Sequence, residues 1–367
     1  MRRQLDRIVF SSFIALFFAA VAVAIEPEKI RPEKSSPAPS PKSAEEGTEG
    51  VPPEAGLFFR GPLASWRTQT LGGVQLWADE LCFGHWRIQR NVLTGHCRLL
   101  DGNDKRYARG SFDYCQQKLD EIKRERHLPA MKGRAVVMVH GLAGWRRTMQ
   151  PLADYLEKNG PFTVFNVAVP STRGDLAEHA RTLGLVMKHL EGVEEINFVG
   201  HSLGNLIIRR WLYDNTDPAT GRVSEARIKR FVMLAPPNHG ASAALMLEDH
   251  ELIAMLLGSS ASELGAGWPE VEKTLAVPPC EFGIIAGGRG KDRGYNPLME
   301  GDNDGLLQVE TTKLVGARDF ILVPAMHQFT MFNDDAKRYT LNFLLHGYFV
   351  AADDRHPIER SVGTDEK

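Results

Sequence analysis

The chain has 367 residues, with 44 Lys plus Arg against 46 Asp plus Glu and a formal net charge of −2. That balance excludes the basic footprint of a nucleic-acid binder, and a hydrophobic content of 43% is sufficient for a sizeable core. Composition defines a globular protein and leaves its chemistry open.

In chain order, Arg2, Arg3 and Arg7 form a positive start, and Ile8 to Ala24 is an uncharged, mostly apolar run ending in the small residues Ala22-Val23-Ala24. This is the layout of a signal peptide over residues 1–24. An uncleaved anchor is the alternative, although the run falls short of the roughly 20 apolar residues of a membrane span. Either outcome exports the rest, as a periplasmic, secreted or membrane-tethered protein. Residues 25–56 carry Pro27, Pro32, Pro37, Pro39, Pro41, Pro52 and Pro53 among Glu, Lys, Ser and Gly. They have too little apolar surface to offset their ordering entropy and read as a disordered linker.

Residues 57–130 read as short strands and one helix. Val74-Gln75-Leu76-Trp77 alternates apolar and polar, Trp86-Arg87-Ile88 does the same, and Gly95 marks a turn. Ser111 is placed to cap a helix with Phe112, Cys115, Leu119 and Ile122 on its apolar face. These elements are expected to extend a larger sheet along one edge. Cys82, Cys97, Cys115 and Cys280 are even in number, and in an exported chain one bridge among the first three is expected, with buried free thiols as the alternative; the pairing is open. No Cys/His spacing fits zinc.

From residue 131 to 350 the pattern changes. The apolar runs Ala135–Val139, Phe162–Val169, Ile196–Val199, Phe231–Leu234, Phe282–Ile285 and Phe320–Val323 alternate with helical patterns. Such runs are parallel strands buried on both faces by crossover helices, giving a doubly wound, mostly parallel α/β sheet. Residues 241–279 form an insertion rich in Leu, Met and Ala, expected as a small helical cap with an ordinary helix packed on the core as the alternative, and 351–367 read as a polar tail.

Gly200-His201-Ser202-Leu203-Gly204 fits G-x-S-x-G, a pattern that chance alone places in about one chain of this length in ten. Its context strengthens it. Glu195 to Val199 is a strand pattern running in, and Leu203 to Leu212 a helical pattern running out. A tight strand-to-helix turn lifts the serine hydroxyl above the sheet, and the flanking glycines leave room for close approach. Ser202 is therefore the candidate nucleophile.

An oxyanion would be held by two backbone N–H groups. Leu203, after the nucleophile, supplies one; Leu142, in the loop His140-Gly141-Leu142-Ala143-Gly144 after an earlier strand, supplies the second. His140 is read as packing locally. Among later histidines, His327 follows a late strand and is the candidate base. His346 lies in the closing helix, His250 in the cap, and His239 is a candidate pocket-lining residue at another strand end. Asp302 and Asp304, in Gly301-Asp302-Asn303-Asp304-Gly305, are both candidates for the acid that orients the imidazole. The full calcium-loop pattern is absent. Gly287-Gly288-Arg289-Gly290-Lys291 lacks phosphate-loop spacing and reads as a strand-end loop.

His140-Gly141, Gly200-His201-Ser202-Leu203-Gly204, Leu234-Ala235-Pro236-Pro237-Asn238-His239-Gly240, Asn303-Asp304-Gly305-Leu306 and His327 together resemble the α/β-hydrolase lipases and esterases, especially bacterial triacylglycerol lipases and the lecithin–cholesterol acyltransferase type. The likeness spans about residues 131–348 and rests on motifs. It implies the α/β-hydrolase fold with a small helical cap and assigns the acid to Asp304, since the Asp of a similar Asn-Asp-Gly-Leu turn has that role. It also implies a small-molecule ester or lipid substrate, transient contact with a lipid surface, and no metal or organic cofactor. Amidase, thioesterase and acyltransferase chemistry use the same constellation. A non-catalytic binding module that keeps the fold is the alternative from another class, and the intact Ser202, Asp304 and His327 argue against it. Oligomeric state is not legible.

Overall fold

The computed structural model describes residues 74–240, 263 and 267–359. The expected signal segment, the linker and most of the cap insertion, including His250, lie outside them.

Val74–Leu76 form one 3-10 turn, not the start of a strand. The alternation there has another cause: Gln75 turns its side chain inward and is only 1% exposed. Strands β1 (Trp77–Phe83), β2 (Trp86–Asn91), β3 (Cys97–Leu100) and β4 (Arg106–Gly110) then pair antiparallel in chain order. Helix α1 (Phe112–Glu125) begins at Ser111, whose hydroxyl accepts the Tyr114 N–H. Its face of Cys115, Leu119 and Ile122 packs on Leu81, Ile88 and Leu99 to make a small core of its own.

The larger sheet contains β5 (Gly133–Val139), β6 (Phe162–Val167), β7 (Val193–His201), β8 (Ile228–Leu234), β9 (Glu281–Gly288) and β10 (Asp319–Pro324). All are parallel, in the order β10-β9-β8-β7-β5-β6. Helices α2 (Gln150–Asn159), α3 (Leu176–Lys188), α4 (Leu203–Asp214), the short α5 (Trp268–Glu272) and α6 (Asp334–His346) lie between or after the strands. Alternate residues of each strand point to opposite faces, and both faces are covered. Ala135, Val137, Phe198 and Phe231 pack with α3 and α4. Val136, Met138, Val199 and Val232 pack with α2 and α6. This is why the strands read as mainly apolar runs. A capping box joins Asp175 and Glu178 at α3, and the Asn333 side chain caps α6.

The first four strands do not extend this sheet, contrary to the expectation for residues 57–130. The two sheets meet at Asp79, whose N–H donates to the Ala168 carbonyl at 3.0 Å and whose carboxylate accepts the Ala168 N–H at 2.8 Å. At this point β1 bulges against β2, between Asp79 and Leu81, which bends the strand locally. The Asp79 carboxylate is also held by Arg87 at 3.0 Å and Gln89 at 2.8 Å.

Beyond residue 350, Ile358 exchanges backbone hydrogen bonds with Gly316 and Ala317. One further expectation is corrected. The four cysteines are free thiols. Cys97 and Cys115 belong to the small core whereas Cys82 packs into the main one, and burial pushes Cys82 and Cys280 up to about 12.

Candidate active site

Ser202 sits between the end of β7 and the first residue of α4 with φ 52° and ψ −124°. A non-glycine residue pays roughly 1–3 kcal/mol for such a backbone, so its surroundings must impose it. They do so by close packing. A Cβ on Gly200 would stand 2.4 Å from Asn205 Oδ1, and one on Gly204 would stand 2.1 Å from the Val139 carbonyl oxygen. Ser202 N–H donates to the Leu234 carbonyl at 3.0 Å, and Asn205 Nδ2 bridges the Ser202 and Leu234 carbonyls, 3.0 Å from each.

His327 opens a 3-10 turn after β10 and is 5% exposed. Its Nδ1 lies 2.7 Å from Asp304 Oδ2, and its Nε2 lies 2.8 Å from Ser202 Oγ. An ionised carboxylate only accepts, so Nδ1 carries the proton and Nε2 presents its lone pair to the serine hydroxyl. The pairing is fixed a second time through the backbone, because His327 N–H donates to the Asp304 carbonyl at 2.9 Å.

Asp304, 1% exposed, also accepts the N–H groups of Leu306 and Leu307 on Oδ1, at 3.0 and 2.7 Å. Its neighbour Asp302 does different work. Asp302 accepts the N–H groups of Arg289, Gly290 and Asn303. It therefore ties down the Gly-rich loop after β9, whose amides at Arg289 and Gly290 are already occupied. Between the two acids, only Asp304 reaches the imidazole. Gly287 makes room for it, since a Cβ there would be 2.9 Å from Asp304 Cβ.

Leu203 is the first residue of α4, where backbone N–H groups have no partner within the helix. The loop carrying Leu142 lies against the serine: a Cβ on Gly141 would be 2.9 Å from Ser202 Cβ. Gly144 N–H donates to the Gly141 carbonyl at 3.1 Å, closing a turn over Leu142 and Ala143, whose φ is 54°. His140 packs locally, as read from the sequence. Its Nε2 accepts the Val169 N–H at 3.3 Å, so Nδ1 donates to the Gly141 carbonyl at 2.9 Å.

Sequence reasoning gave no role to His201. Its Nε2 donates to the His327 carbonyl at 3.0 Å and so helps to fix the turn bearing the imidazole. The Thr330 hydroxyl donates to the same carbonyl at 3.2 Å. Asn303 was missed in the same way: its amide accepts from Asn296 and Gly305 and donates to Asn296 and Gly301, setting the acid turn. Neither has a sequence signal beyond adjacency to Ser202 and Asp304. His239 points elsewhere, half exposed and 3.4 Å from Glu272. His346 stacks on Tyr348 at the end of α6. An 890 Å³ cleft along α3 and α4 is lined by none of Ser202, Asp304, His327 or Leu142. Among the described residues no group of His, Cys, Asp and Glu gathers to hold a metal.

Burial pushes His201 down to about 3, with the nearby His327 adding to the effect. Burial likewise pushes His140 and His179 down to about 4. All three are neutral when folded, but the unfolded chain takes up their protons below the ordinary value of 6.5. Stability is therefore full above pH 6.5 and falls as pH drops toward 4, by up to about 1.4 kcal/mol per pH unit for each histidine. Denaturant midpoints measured from pH 7.5 to 4.5 are expected to fall, steepening below 6.5; a flat profile would contradict this account.

A parallel sheet of this order, with a strained serine where strand turns to helix and a histidine and an aspartate delivered after later strands, is the architecture of the α/β-hydrolase fold. Residues 130–247 match the family described as "Putative serine esterase (DUF676)". Among solved structures, the chain is similar to the mature lipase BlEst2 of Bacillus licheniformis, with 17% identity and a TM-score of 0.40, covering 57% of this chain and 89% of that one. It is also similar to the carboxylesterase CesB of Bacillus subtilis, with 11% identity and a TM-score of 0.38, covering 77% and 97%. For phospholipase PlaB of Legionella pneumophila the values are 18% and 0.37, covering 49% and 44%. No curated protein matches the chain.

Proposed function

We propose that the protein is a carboxylic ester hydrolase of the lipase/esterase type, working through an acyl-enzyme on Ser202. The observation that carries this reading is the unbroken chain from Ser202 Oγ to His327 Nε2 at 2.8 Å and from His327 Nδ1 to Asp304 at 2.7 Å. Ser202 Oγ attacks the ester carbonyl while His327 Nε2 takes its proton. The oxyanion is held by the N–H groups of Leu142 and Leu203, each such donor contributing about 2.7–4 kcal/mol. Collapse expels the alcohol, which receives the proton from His327. Water then attacks the acyl-enzyme, His327 accepts its proton, and the carboxylic acid leaves as Ser202 is restored. Asp304 holds the imidazole in the working tautomer and offsets its charge when protonated.

An apolar acyl group or lipid surface is supported by Phe329 and Phe332, which follow His327 and are 43% and 37% exposed, and by the Leu- and Met-rich insertion. The N-terminal segment 1–24 supports export. The test is labelling of the full chain with a fluorophosphonate, mapped by peptide mass, followed by p-nitrophenyl esters of rising chain length. One phosphonate on Ser202 and turnover that rises with chain length are expected. Adduct on another residue would refute the nucleophile; preference for acetyl would remove the lipase reading and spare the esterase one. Folded protein that neither labels nor turns over ester would establish the binding module instead.

A further inference from the structure

Gln75 lies outside the hydrolase sheet, 69 residues before Gly144, yet its buried side chain reaches the loop that carries Leu142. Nε2 donates to the Gly144 carbonyl at 2.6 Å. Oε1 accepts the Thr172 N–H at 3.1 Å and the hydroxyls of Ser171 and Thr172 at 3.4 Å. The orientation of the amide is set by chemistry: a carbonyl can only accept and a backbone N–H can only donate, so Nε2 must face Gly144 and Oε1 must face Thr172.

The consequence lies in how the turn is held. Its front end, the Gly141 carbonyl, receives His140 Nδ1 and Gly144 N–H. Its rear end, the Gly144 carbonyl, receives Gln75. Both anchors are tied back to the same segment after β6, His140 through Val169 and Gln75 through Thr172. Leu142 and Ala143, the latter at φ 54°, stand between the two fixed points. Without the Gln75 bond the turn would be anchored at its Gly141 end and not at its Gly144 end by these side chains.

We infer that Gln75 is a positioning residue for the oxyanion loop, setting the direction of the Leu142 N–H from the 3-10 turn that precedes the N-terminal sheet. This rests on the esterase reading and adds to it a part contributed by residues before the hydrolase domain. A donor misplaced by about 1 Å lowers turnover by up to about 100-fold without weakening substrate binding. A side chain that merely packed would instead change the folded fraction.

The test compares wild type with Gln75→Leu, of similar volume and without polar atoms, and with Gln75→Glu at pH 9, where the ionised carboxylate accepts from Thr172 but cannot donate to Gly144. Rates are normalised to active sites titrated with fluorophosphonate. Both variants are expected to lose about 10- to 100-fold in kcat with KM within about threefold, and to lose affinity for a trifluoromethyl ketone transition-state analogue by the same factor as kcat. Unchanged kcat per titrated site in an active protein overturns the assignment, as does a loss confined to KM. Should Gln75→Leu fail to fold, the glutamate variant decides alone. Wild type inert to ester and phosphonate would overturn the esterase reading and this inference with it, whereas an active wild type with indifferent variants overturns the role of Gln75 only.

Discussion

Ser202→Ala is expected to lower kcat by about 10⁶-fold on a p-nitrophenyl ester while leaving the melting temperature within a few degrees of wild type. The size of the loss follows from the serine and histidine acting as one unit, so that removing the nucleophile forfeits nearly everything the unit supplies. A residual acceleration from the oxyanion donors and binding, roughly 10³–10⁴-fold over water, is expected to survive. The small effect on stability follows from local structure. Alanine keeps the Cβ, and the backbone at φ 52° is imposed by Asn205, Leu234 and the flanking glycines, none of which is altered. The lost hydroxyl forfeits one hydrogen bond to His327, worth about 1 kcal/mol. Steady-state kinetics and a thermal melt on the same preparation check both halves. A loss below about 100-fold would remove Ser202 from the chemistry.

How far the sequence reaches is visible in the same residues. The six strands of the main sheet were legible because burial on both faces makes their side chains predominantly apolar, a pattern that survives without neighbours and tolerates the buried Asn166 and Asn197. Ser202 was legible because its strained turn needs glycines at 200 and 204, and their places in the sequence record the clash a side chain would make. His327 was found by position, after a late strand. The network around them was not legible. His201, Asn303 and Gln75 act through hydrogen bonds to backbone groups 126, 7 and 69 positions away, and a backbone partner carries no residue identity to read. The separate first sheet was missed for a related reason. Its alternating strands have the composition of an edge extension, and alternation alone does not say which sheet a strand joins.

The acid shows how geometry separates two residues that the turn sequence leaves equal. Asp304→Asn is expected to lower kcat by about 10⁴-fold, whereas Asp302→Asn should lower it by less than about tenfold. In the first variant the shape hardly changes, but an amide offers an N–H where the carboxylate offered an oxygen. If the amide oxygen stays on Leu306 and Leu307, its NH₂ faces His327 Nδ1 and draws the proton to Nε2, the nitrogen that must accept from Ser202. If it flips, two backbone N–H groups are left facing an NH₂, and the imidazolium formed during attack still lacks its counter-charge. Both outcomes cost catalysis. In the second variant the amide oxygen continues to accept from the loop after β9, with the loss falling on the Arg289, Gly290 and Asn303 contacts. That loss appears as a lower melting temperature, on the order of 1–3 kcal/mol for weakened hydrogen bonds to a charged group, with His327 still paired. The pair is read by kcat at pH 8 and by thermal melts. Equal losses of kcat in the two variants, or a greater one at position 302, would show that the acid had been assigned to the wrong side of Asn303.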